Sequence, residues 1–442
     1  MTTLNVSITP RRSALLAGHA NVVEALVRIR APAAPAGQAH RKPLNLALVI
    51  DRSGSMSGQP LEEAKRCATF IVDSLDRNDR VSVVSYDSQP TIVIPTRPVG
   101  NRTGLREAIR AIQSGGTTAL YDGWYQGAGQ AALHADPEYI SRVLLLSDGQ
   151  ANAGLTNRDE IAARCASMAE AGVTTSTYGL GHDFNEDLMV AMARAGHGNH
   201  YYGQTATDLM DPFREEFELL QALCARRLRL ALRAPANIAV EVLNDYPRDE
   251  QGRSCLPDLA YGGEAWAAVR LTLPEGLSTG PTAGETLVLE AALAFTDLGG
   301  TEHTAAGTAL SLPWLPAEAY AAVASDSRVA ERFGEIAAAA LQEQARLAAG
   351  RGDWDRVDAL LAQAQQDAAT NPWLSSILDA LRRYAARRET AHFSKEAMYA
   401  SRKLRSRLAD ADEAAGSYAP EAEMVKPGFL RRKPEQGKDF PG

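Results

Sequence analysis

The period of the hydrophobic pattern changes along the chain. Residues 4–9 and 20–30 read as strands; in the second, Val23, Ala25, Val27 and Ile29 alternate with Glu24, Arg28 and Arg30. Such alternation marks a strand with one buried face. A Pro/Ala/Gly stretch from Ala31 to about Arg41 breaks the pattern,. Leu44-Asn45-Leu46-Ala47-Leu48-Val49-Ile50 then runs almost continuously apolar, as a strand covered on both faces of a parallel sheet does.

From there short apolar strands alternate with helices. Strands are expected near 80–85, 91–94, 142–147, 173–179 and 199–202, and helices near 60–75, 103–111, 119–134, 157–170, 185–195 and 206–222. This alternation predicts βαβ units in a doubly wound, mostly parallel sheet over residues 42–214. Ligands of such sheets bind beyond the carboxyl ends of the strands, which directs attention to the residues after 50, 112 and 147.

Beyond residue 222 the pattern returns to β. Arg226–Leu232, Ala239–Leu243, Ala265–Leu273, Thr286–Phe295 and Thr301–Leu312 read as strands split by Pro/Gly turns,. Residues 222–315 and the N-terminal strands of 1–35 are expected to form one β-sandwich, with the α/β unit inserted in it or joined to it. Residues 316–412 read as a helical region, with helices near 317–349, 353–369, 372–389 and 391–410. Gly350 suits the end of the first and Asp353 the N-cap of the second. Trp354, Val357, Leu360 and Leu361 share one face, resembling half of a tetratricopeptide-like hairpin; a helical bundle is the simpler expectation. Residues 413–442, rich in Pro, Gly and charge, read as a flexible tail.

Composition narrows the function. A chain of 442 residues exceeds one ordinary core,. A formal charge of −8 argues against nucleic acid as the main partner,. The N-terminus lacks the basic and apolar regions of a signal peptide. No stretch approaches the roughly 18 apolar residues of a membrane span. Cys67, Cys165, Cys224 and Cys255 are widely spaced and form no C-x-x-C pair, as buried thiols of a reducing compartment would be. A cytoplasmic protein is expected, and the wealth of Ala, Gly and Arg resembles a high-GC bacterial genome.

The chemistry centres on Asp51-Arg52-Ser53-Gly54-Ser55-Met56, directly after the buried strand. It sets a carboxylate and two hydroxyls at i, i+2 and i+4 on a tight turn. Hard cations such as Mg2+ take oxygen ligands in near-octahedral geometry. Two further segments carry the same donors: the glycine-rich Ser114-Gly115-Gly116-Thr117-Thr118 and the strand end Leu146-Ser147-Asp148-Gly149.

Together these segments resemble the D-x-S-x-S … G-G-T … S/T-D-G pattern of the metal-ion-dependent adhesion site in von Willebrand factor A (VWA) domains. The resemblance extends over residues 44–214. It includes Gly179-Leu180-Gly181-His182-Asp183-Phe184-Asn185, where relatives often carry an acidic residue at the place of His182, which is not a ligand position. It implies a metal set of Asp51, Ser53, Ser55, Thr117 and Asp148, with Thr118 replacing Thr117 if the loop register slips by one. It further implies Mg2+, with Mn2+ or Ca2+ as substitutes, and a protein partner that offers an Asp or Glu carboxylate to the ion. Conformational coupling to the last helix, 206–222, is a further implication. Bacterial intracellular relatives are associated with MoxR-type AAA+ ATPases or with kinase and phosphatase partners.

Competing readings carry less. His182, His197 and His200 lack a Cys partner for zinc. No G-x-x-x-x-G-K-[ST] loop occurs, and no general base stands out for a Mg-dependent hydrolase. A secreted or surface adhesin would need a leader. Asp76, Asp79 and Asp87 read as turn residues, and Lys395–Arg407 as a solvated basic helix face. A non-enzymatic interaction module is the expectation.

Overall fold

The computed structural model describes residues 3–35, 41–148, 151–181, 184–203, 205–276, 284–368, 370–413 and 418–435. Two strands open the chain, β1 (Asn5–Pro10) and β2 (Asn21–Arg30), paired antiparallel. The α/β unit follows: β3 (Leu44–Asp51), α1 (Gln59–Ser74), β4 (Arg80–Tyr86), β5 (Pro90–Pro98), α2 (Arg102–Arg110), α3 (Leu120–Ala132), β6 (Ile140–Ser147), α4 (Arg158–Glu170), β7 (Val173–Leu180), α5 (Glu186–Ala195), β8 (His197–Gly203) and α6 (Met210–Ala222).

Its sheet has the order β5-β4-β3-β6-β7-β8 and is parallel except for the edge strand β5. Every residue of β3 and β6 is buried, because helices cover both faces and neither strand can afford an exposed side. α3 lies close to the sheet because it carries glycine where it crosses; a Cβ on Gly127 would run into Val49. From β3 the chain builds outward to β4 and β5 on one side, then crosses back through α2 and α3 to β6 on the other, so the sheet's switch-point crevice opens at the carboxyl ends of β3 and β6,.

α6 runs into β9 (Leu223–Arg233) without a linker, and β10 (Ala239–Val242), β11 (Gly263–Leu273), β12 (Thr286–Asp297) and β13 (Glu302–Leu312) follow. One antiparallel sheet has the order β1-β2-β11-β10; the other runs β9-β12-β13. β2 pairs with β11 over ten residues, from Arg30 opposite Glu264 to Asn21 opposite Leu273. The N-terminal strands thus share a sheet with strands from beyond the α/β unit, which is inserted between them.

The helical region comprises α7 (Ala317–Ala321), α8 (Ser327–Gly350), α9 (Trp354–Asp367), α10 (Pro372–Ala386) and α11 (Thr390–Ser406). The single helix expected over 317–349 is two: Asp326 accepts the Val329 amide as a new N-cap and restarts the helix,. Asp353 caps α9 through the Arg356 amide. α8 lays Val329, Phe333 and Ile336 against Leu26, Trp266 and Ala268 of the sandwich.

Two expectations about the C-terminal part do not hold. Lys395–Arg407 is not a solvated face: Lys395 and Arg407 are buried. The Lys395 ammonium sits 3.6 Å from the Phe184 ring centroid, where the ring quadrupole replaces part of its hydration,. Arg407 lies over Trp373 and pairs with Glu413 at 3.0 Å. The tail expected to be flexible over 413–442 packs onto the body through 418–435. It includes the short helix α12 (Pro420–Met424), donates the Gly428 amide to Glu218 of α6 at 2.7 Å, and pairs Lys433 with Asp211 and Glu215 of α6. The partners of Lys395 and Lys433, Phe184 and the Asp211–Glu215 pair, lie far along the chain, whereas Arg407 finds Glu413 just beyond its own helix.

Glu186, in the first turn of α5, lines the same cavity as Phe184 and Lys395. Burial pushes its carboxyl up to about 7, against the pull of Lys395 and Arg346,. Its folded-state pKa exceeds the unfolded one, so ionising it opposes folding. The penalty is absent below the unfolded value and complete once the pH passes about 7,. Glu186→Gln is therefore expected to raise the thermal midpoint at pH 8, with the gain fading below pH 5. An equal gain at both pH values would refute this.

Candidate metal centre at the sheet switch point

β3 ends in Asp51, and the chain turns at once through Ser53 into a single 3-10 turn, Gly54–Met56, before α1. Met56 is wholly buried and anchors that turn from below. Asp51 is itself inaccessible, and each of its carboxylate oxygens takes a hydrogen bond. The Ser53 amide donates to one at 2.8 Å and the Ser147 hydroxyl to the other at 2.6 Å. Burial pushes the Asp51 carboxyl up, while the bonds from Ser147 and Ser53 pull it down,.

From Asp51 the donors step outward. The Ser53 hydroxyl lies 3.2 Å from that of Ser55, and Ser55 donates to Asp148 at 2.8 Å. Asp51 and Ser53 are buried, Asp148 half-buried, and Ser55 exposed. Four of the five residues singled out in the sequence therefore form one connected cluster at the crevice, with its outer end open to solvent.

Thr117 reaches the same place by another route. The Gly54 amide donates to the Gly116 carbonyl at 3.2 Å and the Gly115 amide to the Arg52 carbonyl at 2.8 Å. These bonds dock the glycine-rich loop onto the Asp51 turn. Gly116 has φ +58, and a Cβ there would meet Ser88 Oγ at 2.7 Å, so both its backbone angle and its surroundings call for glycine,. The Thr117 side chain is exposed and its hydroxyl lies 3.0 Å from that of Ser88 rather than on the Ser53–Ser55–Asp148 chain. Thr118, the alternative, is buried and its amide donates to Asn152.

The sequence reading missed the residues that brace this cluster. Ser147 fixes Asp51. Asp87, taken for a turn residue, pairs with Arg52 at 2.9 Å and accepts the Ala119 amide through its carbonyl. The local D-S-Q turn carries no sign of this, since its partners lie on two other loops. Gly149 and His182 lie outside the described residues. His200 is half-buried, with Nδ1 2.9 Å from Thr177 Oγ1, and desolvation pushes its pKa well below the usual value. Among the described residues no three His, Cys, Asp or Glu side chains converge as a metal-binding group. The cluster holds two carboxylates and neutral hydroxyls, an all-oxygen set that fits a hard divalent ion better than zinc.

A doubly wound α/β domain with acidic and hydroxyl donors gathered at its switch point belongs to the class that binds ligands at the crest of the sheet. Residues 45–215 match the model of the von Willebrand factor type A domain, and this part of the chain belongs to that family. A protein of Synechocystis sp. is 34% identical over 202 residues, 45% of this chain and 47% of the relative, so the chain spans about half that relative's length. The fold extends further than the sequence match. The von Willebrand factor type A structure from Catenulispora acidiphila superposes with TM-score 0.67 at 20% identity, covering 85% of this chain and 90% of that one. The ArnB paralog VWA2 from Sulfolobus acidocaldarius gives 0.62 at 16% identity, covering 91% and 99%. Among the described residues no helix is long and apolar enough to cross a membrane.

Proposed function

We propose that Asp51, Ser53, Ser55, Thr117 and Asp148 hold one divalent cation, Mg2+ by preference, and that this ion captures an Asp or Glu carboxylate on a protein partner. The observation that carries the reading is the connected Asp51–Ser53–Ser55–Asp148 cluster at the open end of the crevice. Two carboxylates balance a divalent charge, and neutral hydroxyls leave the ion electrophilic enough to accept an outside anion. The gradient from buried Asp51 to exposed Ser55 gives that anion access. The chain would act as a non-enzymatic scaffold or regulator in a bacterial, cytoplasmic multi-protein system, with AAA+ ATPase or kinase and phosphatase partners by family analogy.

Calorimetric titration with Mg2+ and Mn2+ tests the first half. Asp51→Ala is expected to weaken binding at least about 100-fold, beyond the usual loss for an outer-shell residue. Affinity capture from native lysate, comparing wild type, Asp51→Ala and EDTA-treated wild type, tests the second. A partner held only by metal-loaded wild type supports the reading, and identical capture in all three sinks it.

A further inference from the structure

We propose that Ser88 is a positioning residue that turns the Thr117 hydroxyl toward the cation; the proposal rests on the metal-centre reading above. Ser88 lies in the turn between β4 and β5, outside the five donors. Its Oγ is 3.0 Å from the Thr117 amide nitrogen and 3.0 Å from Thr117 Oγ1. The amide can only donate, so Ser88 Oγ is an acceptor there, with a second lone pair left for the Thr117 hydroxyl proton.

That proton decides what Thr117 can do. A hydroxyl that binds a cation uses its oxygen lone pairs and must send its proton elsewhere. Ser88 Oγ would accept that hydrogen bond and so leave the Thr117 oxygen lone pairs free for the ion, as an outer-shell carboxylate or carbonyl does for a metal-bound imidazole. The turn bearing Ser88 is held in place from both neighbouring loops. Asp87 pairs with Arg52 of the first loop at 2.9 Å, and its carbonyl accepts the Ala119 amide beyond the second at 2.8 Å. Gly116 supplies the room, since a Cβ there would lie 2.7 Å from Ser88 Oγ and 2.9 Å from Asp87 Cβ. The three loops thus converge on one hydroxyl–hydroxyl contact beside the candidate ion.

The test uses the full chain and Mn2+ alone as the probe, with affinity read by calorimetry. Ser88→Ala is expected to weaken Mn2+ binding about ten-fold, Ser88→Thr to restore it, and the melting temperature of Ser88→Ala in EDTA to match wild type. Because Ser88 acts through Thr117, Ser88→Ala/Thr117→Ala should bind no more weakly than Thr117→Ala. The proposal is overturned if Ser88→Ala binds like wild type, if the two single losses add in the double variant, or if Ser88→Ala melts lower in EDTA. Failure of the wild type itself to bind Mn2+ would instead remove the metal centre, and this proposal with it.

Discussion

Arg142→Ala is expected to cost about 3–5 kcal/mol of folding stability, the loss typical of a buried ion pair stripped of one partner. Arg142 lies on β6 with 1% of its side chain exposed, 2.6 Å from Glu216 of α6 and 3.1 Å from Asp258 of the sandwich. Glu216 is fully buried and also accepts Ser176, Asn199 and Tyr201 at 2.6, 2.9 and 2.8 Å. The guanidinium and these donors hold its carboxyl below the ordinary value despite burial. Without Arg142 two carboxylates would face each other across the junction of the VWA domain and the sandwich. Glu216→Gln should cost less, because its amide oxygen keeps several of the neutral bonds. Urea unfolding at pH 7 checks both, and a loss below about 1 kcal/mol for Arg142→Ala would show the junction to be wetter than the structure implies.

Glu413→Gln is expected to be of similar size, about 3–5 kcal/mol at pH 7. The Glu413 carboxylate binds Arg332, Arg407 and Arg432 at 3.2, 3.0 and 2.9 Å, and all four side chains are buried. Neutralising it leaves three guanidiniums together with Glu335 and Glu423 as the remaining counter-charges. Those arginines hold the Glu413 carboxyl far below its ordinary range, overcoming desolvation. A depressed carboxyl contributes stability that is complete above the unfolded pKa, near 4.5, and drains away as the pH falls toward the folded value,. Wild type should therefore lose stability steadily below pH 4.5, while Glu413→Gln starts lower and shows a flatter acid limb. Parallel acid limbs for the two proteins would show that Glu413 is not the group titrating.

What the sequence revealed was local in origin. The apolar run 44–50 announced a doubly covered strand, and donors at 51, 53 and 55 lay on one turn, so both strand and cluster could be read from a few consecutive residues. The loop around Thr117 was legible as a segment, but its hydrogen bond to Ser88 was not, because the β4–β5 turn approaches only through the fold. Arg142 was legible only as the first residue of the strand expected over 142–147; its partners stand at 216 and 258. Lys395 and Lys433 looked like solvent-facing charge for the same reason. A buried ion pair gives no periodic signal, and the two halves of the Asp211–Lys433 pair stand on either side of strands β9–β13 and the helical region in sequence. The interruption of the helix at 322–326 was missed because alanine-rich sequence hides a break that only the Asp326 cap marks.

The pairing of β2 with β11 has a consequence for how the chain is made. Arg30 and Glu264 are neighbours in one sheet, yet the entire VWA domain is synthesised between them. Every strand of the inserted sheet lies between Leu44 and Gly203, so that domain can fold as a unit while the chain is still emerging from the ribosome, whereas the sandwich waits for a partner strand far downstream,. During that interval the β1–β2 hairpin presents an unpaired edge along β2, the arrangement most prone to capture by another chain. A polypeptide arrested before Gly263 would carry a folded VWA head and an N-terminal hairpin with nowhere to dock.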